Sequence, residues 1–165
     1  MHRIKNAGCK SKEDVVFTIK KIIDDILAES TSLTLIGGDV SSEFSIFELF
    51  VKMLRKLAGS GRRTFVFVLG NHELWNFPGL SVDEIVDKYR TVLKENGMYL
   101  LHNDLFYRNE SDDMGIIPYD ELIQSDNPAI LEKLRCTRLV ILGGLGFSGY
   151  NEEFNANDGV YRATV

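Results

Sequence analysis

At 165 residues, 44% hydrophobic and 26% charged, the chain is long enough for one domain with a buried core and has ordinary globular composition. A formal net charge of −5 argues against a general nucleic-acid binder, which would carry a basic face. No apolar run approaches the ~20 residues of a membrane span, residues 1–10 contain no apolar signal core, and Cys9 and Cys136 lie too far apart in sequence for a metal-type pair; the expectation is a cytoplasmic protein with two free thiols.

Residues 1–10 are polar and irregular. Ser11, with Asp14 three residues on, reads as a helix N-cap. Val15, Val16, Ile19, Ile22, Ile23, Ile26 and Leu27 then recur at helical spacing, which predicts an amphipathic helix over Lys12–Glu29 with Lys20, Lys21, Asp24 and Asp25 on its solvated face. Leu33–Ile36 is a short apolar strand that ends at Gly37-Gly38-Asp39. A second helix is predicted from Ser42 to Ala58, burying Ile46, Phe47, Phe50, Val51, Leu54 and Leu57, and Gly59-Ser60-Gly61 ends it. Thr64–Leu69 follows; its five uncharged apolar residues, Phe65 to Leu69, read as a strand buried on both faces. Gly70 stops it, and Asn71, His72 and Glu73 arrive together.

Pro78-Gly79 marks Asn76–Leu80 as a loop. Trp75 and Phe77 read as core packing or loop anchors, with the wall of a substrate pocket as the alternative. Ser81-x-x-Glu84 is a capping box. It opens a helix whose stripe is Val82, Ile85, Val86, Tyr89, Val92 and Leu93, stopped by Asn96-Gly97. Tyr99–Leu101 and Leu105–Arg108 read as strands flanking His102-Asn103-Asp104, Glu110–Asp113 as a polar turn, and Pro118–Arg135 as helical with a break near Ser125–Pro128. Leu139–Leu142 reads as another buried strand before Gly143-Gly144. The order β-α-β-α-β with uninterrupted apolar strands implies an α/β fold with a mostly parallel, layered sheet in one domain.

Open α/β sheets bind ligands outside the carboxyl ends of their strands, where Asp39, Asn71, His72 and Glu73 fall. A Gly-Asp pair after a strand is by itself more often a turn; Gly-Asn-His-Glu after a buried strand is rarer. Oxygen and nitrogen donors of these kinds suit a hard or borderline divalent cation. Asp39 has two oxygens with which to bridge metals, Asn71 has an amide oxygen to offer, and His72 is a candidate hydrogen-bond donor or general acid. Glu73 would fix a ring tautomer or a loop behind them.

Gly38-Asp39 followed by Gly70-Asn71-His72-Glu73 resembles the calcineurin-like metallophosphoesterases. Their strand-end motifs run Asp-x-His, Gly-Asp, Gly-Asn-His-Asp/Glu, a later lone His, and Gly-His-x-His. The resemblance spans roughly Val15 to Leu142. It implies a layered metallophosphoesterase-like sandwich that hydrolyses a phosphate mono- or diester by a metal-bound hydroxide. It also implies a dinuclear centre of Mn, Fe, Zn or similar ions, with Asp39 as bridging ligand, Asn71 as ligand of the second metal, and His72 as the phosphate-contacting acid.

The departures are equally specific. Ahead of the first helix stand His2-Arg3-Ile4-Lys5, with no Asp-x-His and no apolar strand. The three histidines are His2, His72 and His102, so nothing after position 102 supplies the lone His or Gly-His-x-His. Residues 1–165 are therefore expected to form a single partial domain, incomplete at both ends, with a partial metal site and weak activity alone. The alternative is a non-catalytic binding or interaction module that keeps the fold and has lost the metals. Without its missing parts the sheet would expose the Leu33–Ile36 edge and one bare face, which predicts pairing with a second copy or with the rest of the parent domain. His102 has a replacement ligand as one reading and a solvated turn residue as the other. Gly144–Gly149 matches G-x-G-x-x-G but lacks the following helical stripe of a dinucleotide loop, and reads instead as a Gly-rich loop near the metal-site face.

Overall fold

The computed structural model describes residues 11–29, 31–59, 63–124 and 128–145. Its elements are α1 (Lys12–Glu29), β1 (Leu33–Ile36), α2 (Phe44–Ala58), β2 (Thr64–Phe67), a 3-10 turn (His72–Leu74), α3 (Val82–Glu95), β3 (Tyr99–Leu100), β4 (Asp104–Asn109), β5 (Met114–Ile117), α4 (Tyr119–Leu122), α5 (Pro128–Arg135) and β6 (Thr137–Gly143). His2, Cys9, Ser60-Gly61 and Gly146–Gly149 lie outside the described residues.

The helix starts follow local hydrogen-bond chemistry. At α1 the Asp14 N–H donates to Ser11 Oγ and the Ser11 N–H donates to Asp14 Oδ2, each at 3.1 Å. Ser81 and Glu84 close the same reciprocal box at α3, which satisfies backbone donors that the first turn leaves without partners. The second helix begins at Phe44, two residues later than its apolar pattern predicts. Ser41 is the reason: its Oγ accepts the Glu43 N–H at 3.0 Å, and its own N–H is held by Glu73.

Two sheets form. β1, β2 and β3 make a parallel sheet with β2 in the centre; β5, β4 and β6 make an antiparallel one with β4 in the centre. Side chains alternate across a strand, so each face of β2 has its own partner layer. Phe65 and Phe67 pack with Ile19, Ile23, Phe47, Phe50, Leu54, Val86 and Tyr89 from α1, α2 and α3. Val66, facing the other way, packs with Leu101 and Phe106 and with Met114, Ile116 and Ile141 of the second sheet. The outer face of that sheet carries Leu105, Tyr107 and Ile117 against Ile130, Leu122 and Leu134 of the small helices. The layers therefore run helices, parallel sheet, antiparallel sheet, helices: an α/β sandwich, as the strand pattern implies.

Four expectations are corrected. The face expected to be bare is covered at Val66 of β2 by β4, β5 and β6, while Leu35 of β1, in register with Val66 on that face, stays 58% exposed. β5 was not anticipated; it is the return strand of a hairpin whose turn is organised by Asn109 Oδ1, which accepts the N–H groups of Ser111 and Asp113 and the Ser111 hydroxyl. β6 is not buried on both faces: it is an edge strand whose inward Ile141 alternates with Leu142, which is 72% exposed. Two apolar residues read as buried, Val16 and Leu57, also sit at the rims of their helices and are exposed. No helix among the described residues is long and apolar enough to cross a membrane.

Candidate active site

Because β1 and β2 are parallel neighbours, the turns that follow them leave from the same end of the sheet. The Val68 N–H donates to Ile36 O at 3.1 Å, carrying the ladder up to that end. Beyond it the two turns touch. Gly38 has φ +84°, and a Cβ there would lie 2.5 Å from Gly70 N and 2.8 Å from Gly70 Cα. A Cβ on Gly70 would fall 2.6 Å from Asp39 N and 2.7 Å from Asp39 Cγ. Only glycine permits backbone to pass this close. Asp39 itself holds φ 53°, a left-handed conformation that Asp tolerates better than most residues.

One buried carboxylate ties the turns together. Glu73 Oε2 accepts the Asp39 N–H at 2.9 Å and the Gly70 N–H at 2.8 Å, while Oε1 accepts the Ser41 N–H at 2.9 Å. Glu73 thus serves the loops, not an imidazole. Burial, the dominant influence, pushes its carboxyl above the usual carboxylate range; the three N–H groups oppose that and the Asp39 charge adds to it. The Glu73 carbonyl accepts the buried Tyr89 hydroxyl at 3.0 Å, which fixes the turn to α3. Burial, with the Glu73 charge, also raises the Tyr89 hydroxyl's pKa.

On this frame Asp39 meets the turn that carries Asn71 and His72. Asp39 Oδ1 accepts the His72 N–H at 3.2 Å, so the Asp39 carboxylate lies against the Asn71-His72 backbone. Asn71 takes helical φ and ψ and opens the 3-10 turn. The His72 ring meets Trp75, with ring centroids 3.8 Å apart and planes tilted by 36°. Sequence reasoning missed that contact, although the spacing of three residues in a tight turn carried the signal. Phe77, by contrast, is a loop anchor, packed edge-on against Phe44 and Tyr89.

Asp39 and Asn71 supply a carboxylate and an amide at adjacent strand ends, a donor set that fits one flank of a divalent-cation site. Among the described residues no group of three His, Cys, Asp or Glu side chains converges as a metal site.

His102 follows β3. Its N–H donates to Asp104 Oδ2 at 3.2 Å, and among the described residues its Nδ1 is buried without a hydrogen-bond partner. It borders a cavity of about 1000 Å³ between α3, β3 and the start of α4, which Asp39, Asn71 and His72 do not line. The cavity and the strand-end cluster are separate places. The cluster is the better active-site candidate because it lies at the carboxyl ends of two parallel strands, where open α/β sheets bind their ligands. Gly143 pairs with Asp104 at this same end, and a Cβ on Gly144 would lie 2.6 Å from Asn103 Oδ1. The Gly-rich exit of β6 thus starts against the loop after β3.

No curated protein and no solved structure gives a match. The calcineurin-like phosphoesterase family profile matches residues 9–161, nearly the whole chain. With two parallel strands ending in Gly-Asp and Gly-Asn-His-Glu, and with the two turns locked together, the chain belongs to the calcineurin-like phosphoesterase family.

Proposed function

We propose that Asp39, Asn71 and His72 form part of a divalent-metal site that hydrolyses a phosphate mono- or diester. In this reading Asp39 and Asn71 hold the cation, and residues 1–165 act as one domain. A bound divalent cation supplies Lewis-acid stabilisation of the charge that builds on the phosphate. His72 hydrogen-bonds the phosphate and protonates the leaving oxygen as a general acid. Glu73 and the two glycines preorganise the turns, so the site need not reorganise when the substrate arrives. The observation that carries this reading is the contact between the Asp39 carboxylate and the His72 backbone at the ends of two parallel strands. The edge of β1, where Leu35 is 58% exposed, is the surface we assign to pairing with a second copy or with other parts of a parent domain.

The test is Mn²⁺ binding by calorimetry beside hydrolysis of p-nitrophenyl phosphate and its bis-ester. The expected result is slow, metal-dependent turnover that falls at least about tenfold in Asp39→Asn, the scale seen when groups around a metal are altered. Asn suits the left-handed backbone at this position, so the variant tests the charge and not the fold. Mn²⁺ binding and turnover unaffected by Asp39→Asn would overturn the assignment. Tight Mn²⁺ binding with no turnover of either ester would favour a non-catalytic binding module.

A further inference from the structure

Trp75 is 58% exposed, yet every residue around it is anchored. Leu74 packs against the helical core. Asn76 Nδ2 donates to Ser42 O at 2.6 Å. Phe77 sits edge-on to both Phe44 and Tyr89 with centroids 6.0 Å apart. The Trp75 N–H itself donates to His72 O at 3.4 Å. The loop is thus fixed on both sides of the indole, and the indole is what it presents outward. Core packing does not account for so large an apolar ring in that place. In a 3-10 turn residues three apart eclipse one another, so position 75 is the one that sets a ring on His72.

We propose that Trp75 is a recognition platform for a planar aromatic group carried by the substrate phosphoester. The inference rests on the reading of His72 as the group that meets the phosphate. Part of the indole faces the imidazole, and the remainder is open beside it. A flat ring attached to a phosphate held at His72 can stack there. Aromatic stacking of this kind changes affinity by about 5- to 150-fold when the side chain is removed. An aliphatic ester lacks the π-face and gains no such preference. A nucleobase and a simple aryl ring share the required chemistry.

The chain contains one tryptophan, so its indole emission reports on Trp75 alone. Full-length protein with Mn²⁺ is titrated with AMP, phenyl phosphate and glycerol phosphate, following emission and, in parallel, calorimetric heat. The expected result is that AMP and phenyl phosphate change the emission and bind at least about fivefold more tightly than glycerol phosphate. Tighter AMP than phenyl phosphate would assign the platform to a nucleobase; equal affinity would assign it to any aryl ring. By calorimetry, Trp75→Leu is expected to lose the aromatic preference and bind all three esters with equal affinity, and Trp75→Phe to recover part of it, with thermal unfolding checking that both variants fold. Equal affinity of the wild type for all three esters, or an aromatic preference retained in Trp75→Leu, would overturn the proposal. An aromatic preference in a protein that hydrolyses none of the esters would sink the catalytic reading and leave this inference standing. Hydrolysis without any preference would do the reverse.

Discussion

Glu73→Ala is expected to lower the stability of the folded chain by about 3 kcal/mol or more, a large effect for one polar side chain. Three backbone N–H groups, on Asp39, Ser41 and Gly70, lose their acceptor at once. An orphaned buried donor costs about 1–3 kcal/mol, and a cavity left under the two turns adds to that. Water entering the gap relieves part of the sum, which is why the expectation stays near the low end. Glu73→Gln is expected to cost less, about 1–3 kcal/mol. Its amide can leave its oxygen where Oε2 sits, serving Asp39 and Gly70, but its NH₂ group must then face the Ser41 N–H. Urea unfolding of the wild type and both variants measures this; a loss below about 1 kcal/mol in Glu73→Ala would mean the carboxylate is not holding the turns. The pH dependence has a defined sign. The folded-state pKa is raised, so the folded chain binds this proton more readily than the unfolded one. The stability linked to it is fully present below the unfolded value of 4.5 and is lost as pH rises through the folded value. Glu73→Ala should lack that slope.

Alanine at Gly70 or Gly38 is the second large effect, and Gly37 supplies the control. Gly38→Ala meets the Gly70 backbone at 2.5 Å and must also hold φ +84°. Gly70→Ala meets Asp39 backbone and carboxylate atoms within 2.7 Å. Backbone cannot yield as a flexible side-chain tip can, so the turns must separate, which breaks the Glu73 hydrogen bonds too. A loss of at least about 2 kcal/mol is expected for each, the scale of overpacking plus backbone strain. Mn²⁺ binding should disappear in whichever variant still folds. Gly37→Ala meets nothing within 4 Å and has no positive φ, so it should stay within about 0.5 kcal/mol of the wild type. Thermal unfolding of the three proteins decides the matter: similar midpoints for Gly37→Ala and Gly70→Ala would refute the close approach of the turns.

Much of the helical layer was legible because its signals are local. Periodicity, the Ser11 cap and the Ser81 box placed Lys12–Glu29 and the start of the third helix where they are. Leu33–Ile36 and the parallel pairing of the next strand followed from apolar runs joined by a helix. The same logic brought Asp39 to the Asn71-His72 stretch, since parallel neighbours end at one edge. The second sheet was harder to read. Met114–Ile117 is short and contains Gly115, and its pairing depends on a neighbour that itself bonds to a strand some thirty residues on. The exposure of Leu142 was invisible for a related reason: a run of apolar residues looks the same at a sheet edge as at its centre. Glu73 was placed behind the site from sequence, but its three donors come from two turns, and no local pattern reveals which backbone groups a fold will bring to one carboxylate.

That carboxylate also governs how the site moves in time. Asp39 and Ser41 belong to one turn and Gly70 to the other, yet their amide hydrogens are guarded by one side chain. Withdrawal of Glu73 exposes all three to exchange in a single local opening. The two strand-end turns should therefore open together, with matched protection factors at Asp39, Ser41 and Gly70, and a cation resting on Asp39 and Asn71 would slow exchange at all three amides at once.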